Sequence, residues 1–291
     1  MSAQWDDLKT VLALVQGGSL AAAADTLGVT YTTVARRIDR AEQALGDKLF
    51  ERLPSGYHAT EMAQLVAKHA ADMQKHEDAL NRQIAGRDAR LTGPLTVTAP
   101  QLIIAHLLCP AIADFRKAHP EVDLRVRATN ALLDLNRREA DLAIRISRSP
   151  GDSLTGLRLS GQHTASFAGP DWAKRIAEDP SAPIDWIVYS DHAQLPEEVT
   201  QRYPGSRIAF RFDDMIAMSG AAQAGLGVVR VPMFLGRALP GLVQVPLLSP
   251  QPYADIWVVA HPDVWPSAKL EAFRAVLKTQ QPMIRAACLV N

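Results

Sequence analysis

The sequence predicts an α/β domain of two Rossmann-like units, preceded by a helix-rich winged helix-turn-helix unit and a long linker helix. Three observations carry this. Two helical segments are separated by Gly28-Val29, no Gly or Pro occurs from Thr60 to Gln83, and strands alternate with helices after Pro94. A chain of 291 residues is long enough for more than one domain. The expected division is 1–60, 61–89 and 90–291.

Ser19 is a good N-cap in front of an alanine-rich segment with apolar residues at helical spacing. Gly28 and Val29 supply a short turn, and Thr30 caps a second helix bearing Tyr31, Thr32, Thr33, Arg36, Arg37 and Arg40. Such a pair, with a polar and basic second helix, can set that helix in a DNA major groove. Arginine there matches the two acceptors on a guanine edge. An ordinary packing corner with solvated arginines has the same local pattern, so the residues after the pair decide between them. Leu45-Gly46 closes the second helix, Leu49-Phe50 anchors the next segment, and Leu53-Pro54-Ser55-Gly56-Tyr57 reads as a turn between two short extended runs. That is how a wing is built.

Residues 5–62 resemble the winged helix-turn-helix of the LysR-type transcriptional regulators. The matching residues are Trp5, Leu8, Val15, Gly18-Ser19-Leu20, Ala23-Ala24, Leu27, Val34, Arg36, Ile38, Glu42, Leu45-Gly46, Leu49-Phe50, Arg52 and Thr60. The family commonly has Ser where this chain has Ala35, and a basic residue at the wing tip where this chain has Ser55-Gly56. The resemblance implies a transcriptional regulator that binds double-stranded DNA. Tyr31, Thr32, Thr33 and Arg36 are expected to read bases, and Ser19, Arg37, Arg40, Lys48 and Arg52 to reach phosphate.

Charge qualifies this expectation. Formal net charge is zero, and residues 1–60 hold six Lys or Arg against seven Asp or Glu. Attraction to phosphate must come from local placement of the basic residues. The same neutrality argues against a nonspecific nucleoid-coating protein, whose binding energy would come from phosphate neutralisation.

From Thr60 to about Gln83 one helix of roughly 36 Å is expected. Met62, Val66, His69, Met73, His76 and Leu80 alternate by four and three, a short heptad seam. A lone helix with one such stripe needs a partner. The resemblance implies antiparallel pairing with a second subunit, in a homodimer or homotetramer. Gly86 and Thr92-Gly93-Pro94 end the helix and open a linker.

After Pro94 the predicted strands are Leu95–Thr98, Val122–Ala128, Asp141–Ile146, Thr164–Ala168, Trp186–Tyr189, Ile208–Phe212, Val228–Val231 and Ile256–Ala260. Helices are predicted over Leu102–Ala118, Leu132–Arg138, Asp171–Ala177, Asp214–Gln223 and Ser267–Thr279. This βαβ rhythm implies parallel strands covered by helices. Leu95-Thr96-Val97, His119-Pro120, the run Arg137 to Arg145, and Ala224-Gly225-Leu226-Gly227-Val228 with Pro232 extend the resemblance to the family's effector domain. That domain is similar to the periplasmic solute-binding proteins and implies a small-molecule effector in its cleft. Ligands of open α/β sheets settle at the carboxyl ends of strands. The expected lining is therefore Pro100, Gln101, Leu102, Thr129, Asn130, Arg145, Phe167, Phe212, Asp213 and Gly225.

Other classes find little support. Gly225-x-Gly227 precedes a strand, whereas a dinucleotide fingerprint follows one. No defensible Ser-His-Asp order, carboxylate pair or metal motif is present, so no catalytic residue, metal or cofactor is expected and the chain is not read as an enzyme. A solute-binding protein would carry a signal peptide and lack the helix-turn-helix. Cys109 and Cys288 lie far apart without metal-ligand spacing and suit free thiols in a reducing cytoplasm. No apolar run reaches the ~18 residues a membrane span needs.

Overall fold

The computed structural model describes residues 3–53, 56–130, 135, 139–149, 151, 153–191 and 194–290, with residues 52 and 53 described by backbone alone. Its contacts separate into two compact units, residues 1–84 and 85–291.

In the first unit, helix α1 spans Trp5–Gly17, α2 Leu20–Leu27 and α3 Tyr31–Leu45. Ser19 Oγ accepts from the Ala22 N–H at 3.1 Å and caps α2. Thr30 Oγ1 accepts from the Thr33 N–H at 3.3 Å and caps α3. Between them Gly28 takes φ 63°, a left-handed conformation that costs glycine little and lets the chain reverse at once. Val11, Leu14, Leu20, Ala23, Val34, Ile38 and Ala41 bury a shared core, joined by Leu49 and Phe50. Strands β1 (Phe50–Leu53) and β2 (Gly56–Ala59) pair antiparallel, Phe50 opposite Ala59 and Leu53 opposite Gly56. The wing is thus a tight hairpin, whose tip residues Pro54 and Ser55 lie outside the described residues. Helix α4 (Glu61–Gly86) lays Ala63, Ala67 and Ala70 inward, and Trp5 Nε1 and Lys9 Nζ of α1 both reach its Glu77 at 3.1 Å.

The second unit is built on one mixed sheet. Its strands are β3 (Gly93–Ala99), β4 (Val122–Ala128), β5 (Leu142–Ser147), β6 (Thr155–Ala168), β7 (Asp185–Tyr189), β8 (Arg207–Phe212), β9 (Val228–Pro232), β10 (Val243–Gln244) and β11 (Gln251–Ala260). The order is β4-β3-β5-β11-β6-β9-β7-β8, with β10 beside β6. β3, β4 and β5 run parallel, as do β7, β8 and β9. The long strands β6 and β11 pair antiparallel and join the two parallel sets. Two Rossmann-like halves therefore share a central two-stranded ribbon. Where the ribbon passes between halves the pairing slips twice, between Tyr253 and Trp257.

The helices are α5 (Gln101–Ile103), α6 (Cys109–Ala118), α7 (Pro170–Glu178), α8 (Glu197–Arg202), α9 (Met215–Gln223), α10 (Met233–Ala238) and α11 (Ala268–Cys288). Between α5 and α6, Ile104–Leu108 forms a π turn in which the Cys109 N–H reaches back five residues to the Ile104 carbonyl. Pro110 explains it. It has no N–H, and its ring would crowd the His106 carbonyl in a regular helix, so the turn widens. Phe115 and Phe273 meet edge to face at 5.1 Å in the core beneath.

The structure corrects several expected bounds. The strand expected at Thr164 begins at Thr155, and the last helix runs on to Cys288 despite Pro282. Helices α8 and α10 and the short β10 were not expected. The helix predicted over 132–138 lies outside the described residues, apart from Leu135, which is buried.

Candidate nucleic-acid interface and ligand cleft

The exposed start of α3 collects most of the expected base-reading residues. Tyr31 is 50% exposed, and Arg36 is exposed and makes no hydrogen bond or ion pair with any described residue. Thr30 Oγ1 lies 3.0 Å from Thr32 Oγ1 and 2.8 Å from Thr33 Oγ1, so the cap and both hydroxyls form one cluster. Ala35 packs against the core, and no hydroxyl projects at that position.

The expected phosphate residues are differently placed. Arg37 donates to Asp6 at 2.8 Å and Arg40 to Asp7 at 2.5 Å, both acids lying on α1. Asp7 is only 3% exposed, so Arg40 compensates a carboxylate that would otherwise be buried unpaired. Lys48 pairs with Glu42 at 2.5 Å, and Glu42 Oε1 also accepts from the Leu49 and Phe50 N–H groups at 2.9 and 3.4 Å. Burial works to raise the Glu42 carboxyl, but Lys48 and the two N–H groups outweigh it and hold it below its ordinary value. Ser19 is engaged as a cap, and the Arg52 side chain lies outside those described. Sequence spacing showed the basic residues without showing their acidic partners on α1.

Along α4 the expected seam divides. Met62 and Val66 pack on the first unit's own core. His69, Met73, His76 and Leu80 are exposed, and Leu65 and Ile84 join them on that face. The stripe is therefore shifted toward the helix's later turns, because its first turn is already covered.

In the second unit a cleft of about 360 Å³ opens between the two Rossmann-like halves. Pro100, Gln101, Leu102, Thr129, Asn130 and Arg145 line one wall, as expected from strand ends. Four expected residues lie elsewhere. The strand-end rule holds for parallel strands, and β6 runs antiparallel to β9, which carries Phe167 into the core. Gly225 stands before β9 rather than after it, and its carbonyl accepts from Trp172 Nε1 at 3.0 Å. Phe212 packs on the core and Asp213 is exposed outside the lining. The turn after β8 instead presents Asp214, Met215 and Ile216, alongside Tyr189, Pro232, Phe234 and Tyr253.

Residues 88–282 match the LysR substrate binding domain, and residues 5–64 match the bacterial regulatory helix-turn-helix protein, lysR family. The chain belongs to the LysR family. It is a LysR-type transcriptional regulator with a DNA-binding helix-turn-helix and an effector-binding domain, and the family's members are regulators rather than enzymes. It is 29% identical over 274 residues to the Mau operon transcriptional activator of Paracoccus denitrificans, covering 89% of each chain. With the HTH-type transcriptional activator AmpR of Citrobacter koseri it shares 36% identity over 158 residues, 54% of this chain and 55% of that one. Among solved structures, the full-length Vibrio cholerae virulence activator AphB is 19% identical, with a TM-score of 0.59 over 95% of this chain and 99% of that one. CrgA, a LysR-type regulator of Neisseria meningitidis, has a TM-score of 0.53 at 20% identity, over 94% and 98%. These two likenesses concern the fold.

In this LysR-type regulator Cys109 is exposed and Cys288 buried, and burial pushes the Cys288 thiol up to about 11. Among the described residues no helix is long and apolar enough to cross a membrane, and no group of His, Cys, Asp and Glu is arranged for a metal ion.

Proposed function

We propose that this regulator acts in the cytoplasm as a homodimer or homotetramer, with residues 1–60 reading DNA, 61–89 pairing subunits and 90–291 sensing a small molecule. Arg36 of α3, exposed and without a partner among the described residues, carries the base-reading part, together with the exposed Tyr31 at the start of that helix. One helix fits a major groove, and two must stand about one DNA turn apart, which is why a dimer suits the task. The exposed stripe Leu65, Met73, Leu80 and Ile84 supports α4 as the pairing surface. Effector binding favours one arrangement of the two cleft walls and thereby shifts the assembly's geometry on its operator. The mechanism is a population shift, without chemistry.

The test is fluorescence anisotropy on duplex from upstream of the chain's own gene, against shuffled duplex. Arg36→Ala is expected to weaken the specific site by about 1–3 kcal/mol and leave shuffled duplex nearly unchanged. Equal losses on both would make Arg36 a phosphate contact only.

A further inference from the structure

We infer that Tyr31 reads thymine in the operator, through packing of its ring on the C5-methyl group of the base. This rests on the start of α3 entering the major groove.

The first two turns of α3 hold few polar groups that are open to base edges. Thr30 Oγ1 brings one hydrogen and two lone pairs. It accepts the Thr33 N–H at 3.3 Å and meets the hydroxyls of Thr32 and Thr33 at 3.0 and 2.8 Å, which uses all three. Both neighbouring hydroxyls are thereby held toward the cap. Val34 is fully buried, and position 35 is Ala, which offers no hydroxyl. Arg37 is engaged by Asp6. Arg36 is thus the charged side chain in these turns that is exposed and without a partner among the described residues.

Tyr31 differs in kind. It occupies the first position of α3 with half its surface exposed, and its ring meets no described aromatic or cationic side chain. A single exposed ring is ordinary on a protein surface. This one stands in the N-terminal turn, where a groove-entering helix meets base edges. The thymine methyl is the apolar mark on the major-groove edge, and side chains that present a ring or a methyl pack on it.

The phenol hydroxyl offers a different contact, because tyrosine also bonds phosphate oxygens. The two contacts make separate demands on the DNA. A phosphate contact is indifferent to the base, whereas a ring contact follows the methyl. Arg36, five residues on and about 7.5 Å along the axis, suits a guanine edge. The expected half-site therefore carries both a thymine and a guanine.

The experiment starts from a randomised duplex pool, from which the full chain selects its preferred sequence. That duplex is then remade with deoxyuridine for thymidine, which keeps the base pairing and the O4 acceptor and removes only the methyl groups. Fluorescence anisotropy compares the two duplexes. Burying one methyl contributes about fourfold in affinity, so a dimer touching one in each half-site should lose roughly fifteenfold on the uracil duplex. Tyr31→Phe keeps the ring and should discriminate as the parent does. Tyr31→Ala should bind both duplexes alike. Equal binding of the two duplexes by the parent overturns the thymine contact and leaves α3 as the base-reading helix. Full discrimination by Tyr31→Ala, or its loss in Tyr31→Phe, overturns the ring contact in the same way. A pool in which no sequence is enriched overturns the thymine contact and the base-reading role together.

Discussion

Asp6 and Asp7 decide what Arg37 and Arg40 are able to do. Each acid on α1 holds one guanidinium of α3, so these arginines brace the helix pair and contribute little free charge. Replacing both acids by Asn should release two cations. Affinity for random duplex should then rise, and its logarithm should fall more steeply with the logarithm of salt, by a slope of about 2. An unchanged slope, measured by anisotropy between low and physiological salt, would mean that the pairs already open on DNA. Glu42 makes a second prediction at this scale. Its carboxyl lies below the ordinary 4.5 because Lys48 and two N–H groups outweigh its burial. A lowered folded value means stabilisation that is complete above 4.5 and lost as pH falls through the lowered value. Glu42→Gln should therefore cost about 1 kcal/mol near neutral pH, and the gap should close in acid. Urea midpoints of both proteins across that range check it.

Among the elements, the helix pair was legible in the sequence because its determinants are local: a hydroxyl cap, a left-handed glycine and an apolar period. β6 was half-hidden for the opposite reason. Ser160 and Gln162 are buried polar residues near its middle, and Gly156 and Gly161 interrupt the run, so only tertiary pairing with β11 makes this part a strand. The cleft was legible after the parallel strands β3 and β4 and along β5, at Pro100, Thr129 and Arg145, but not after the parallel β8, whose Phe212 packs on the core. It was misread where an antiparallel strand intervened, because strand direction is not written in the residues of the strand itself. Packing between elements adds a test. A Cβ on Gly236 of α10 would fall within contact distance of the Phe167 ring, and both residues are buried. Gly236→Ala should cost about 1–3 kcal/mol by overpacking. A denaturant midpoint equal to the parent's would show that the ring can move aside.

For the whole molecule, the long apolar face of α4 makes the association state testable. Leu80 and Ile84 are 58% and 61% exposed. Leu80→Glu with Ile84→Glu should yield a smaller species in sedimentation equilibrium and a weaker grip on the two-part operator. An unaltered mass would move the pairing surface elsewhere. The braced arginines bear on this scale too. A regulator must find its operator among roughly a million or more competing stretches of chromosome. Each free cation lengthens the time spent on the wrong ones. A protein whose arginines are already answered by its own aspartates leaves random sequence quickly, so few copies are held in reserve along the genome. A small pool of molecules then suffices to keep one operator filled, and a modest change in effector is felt there at once.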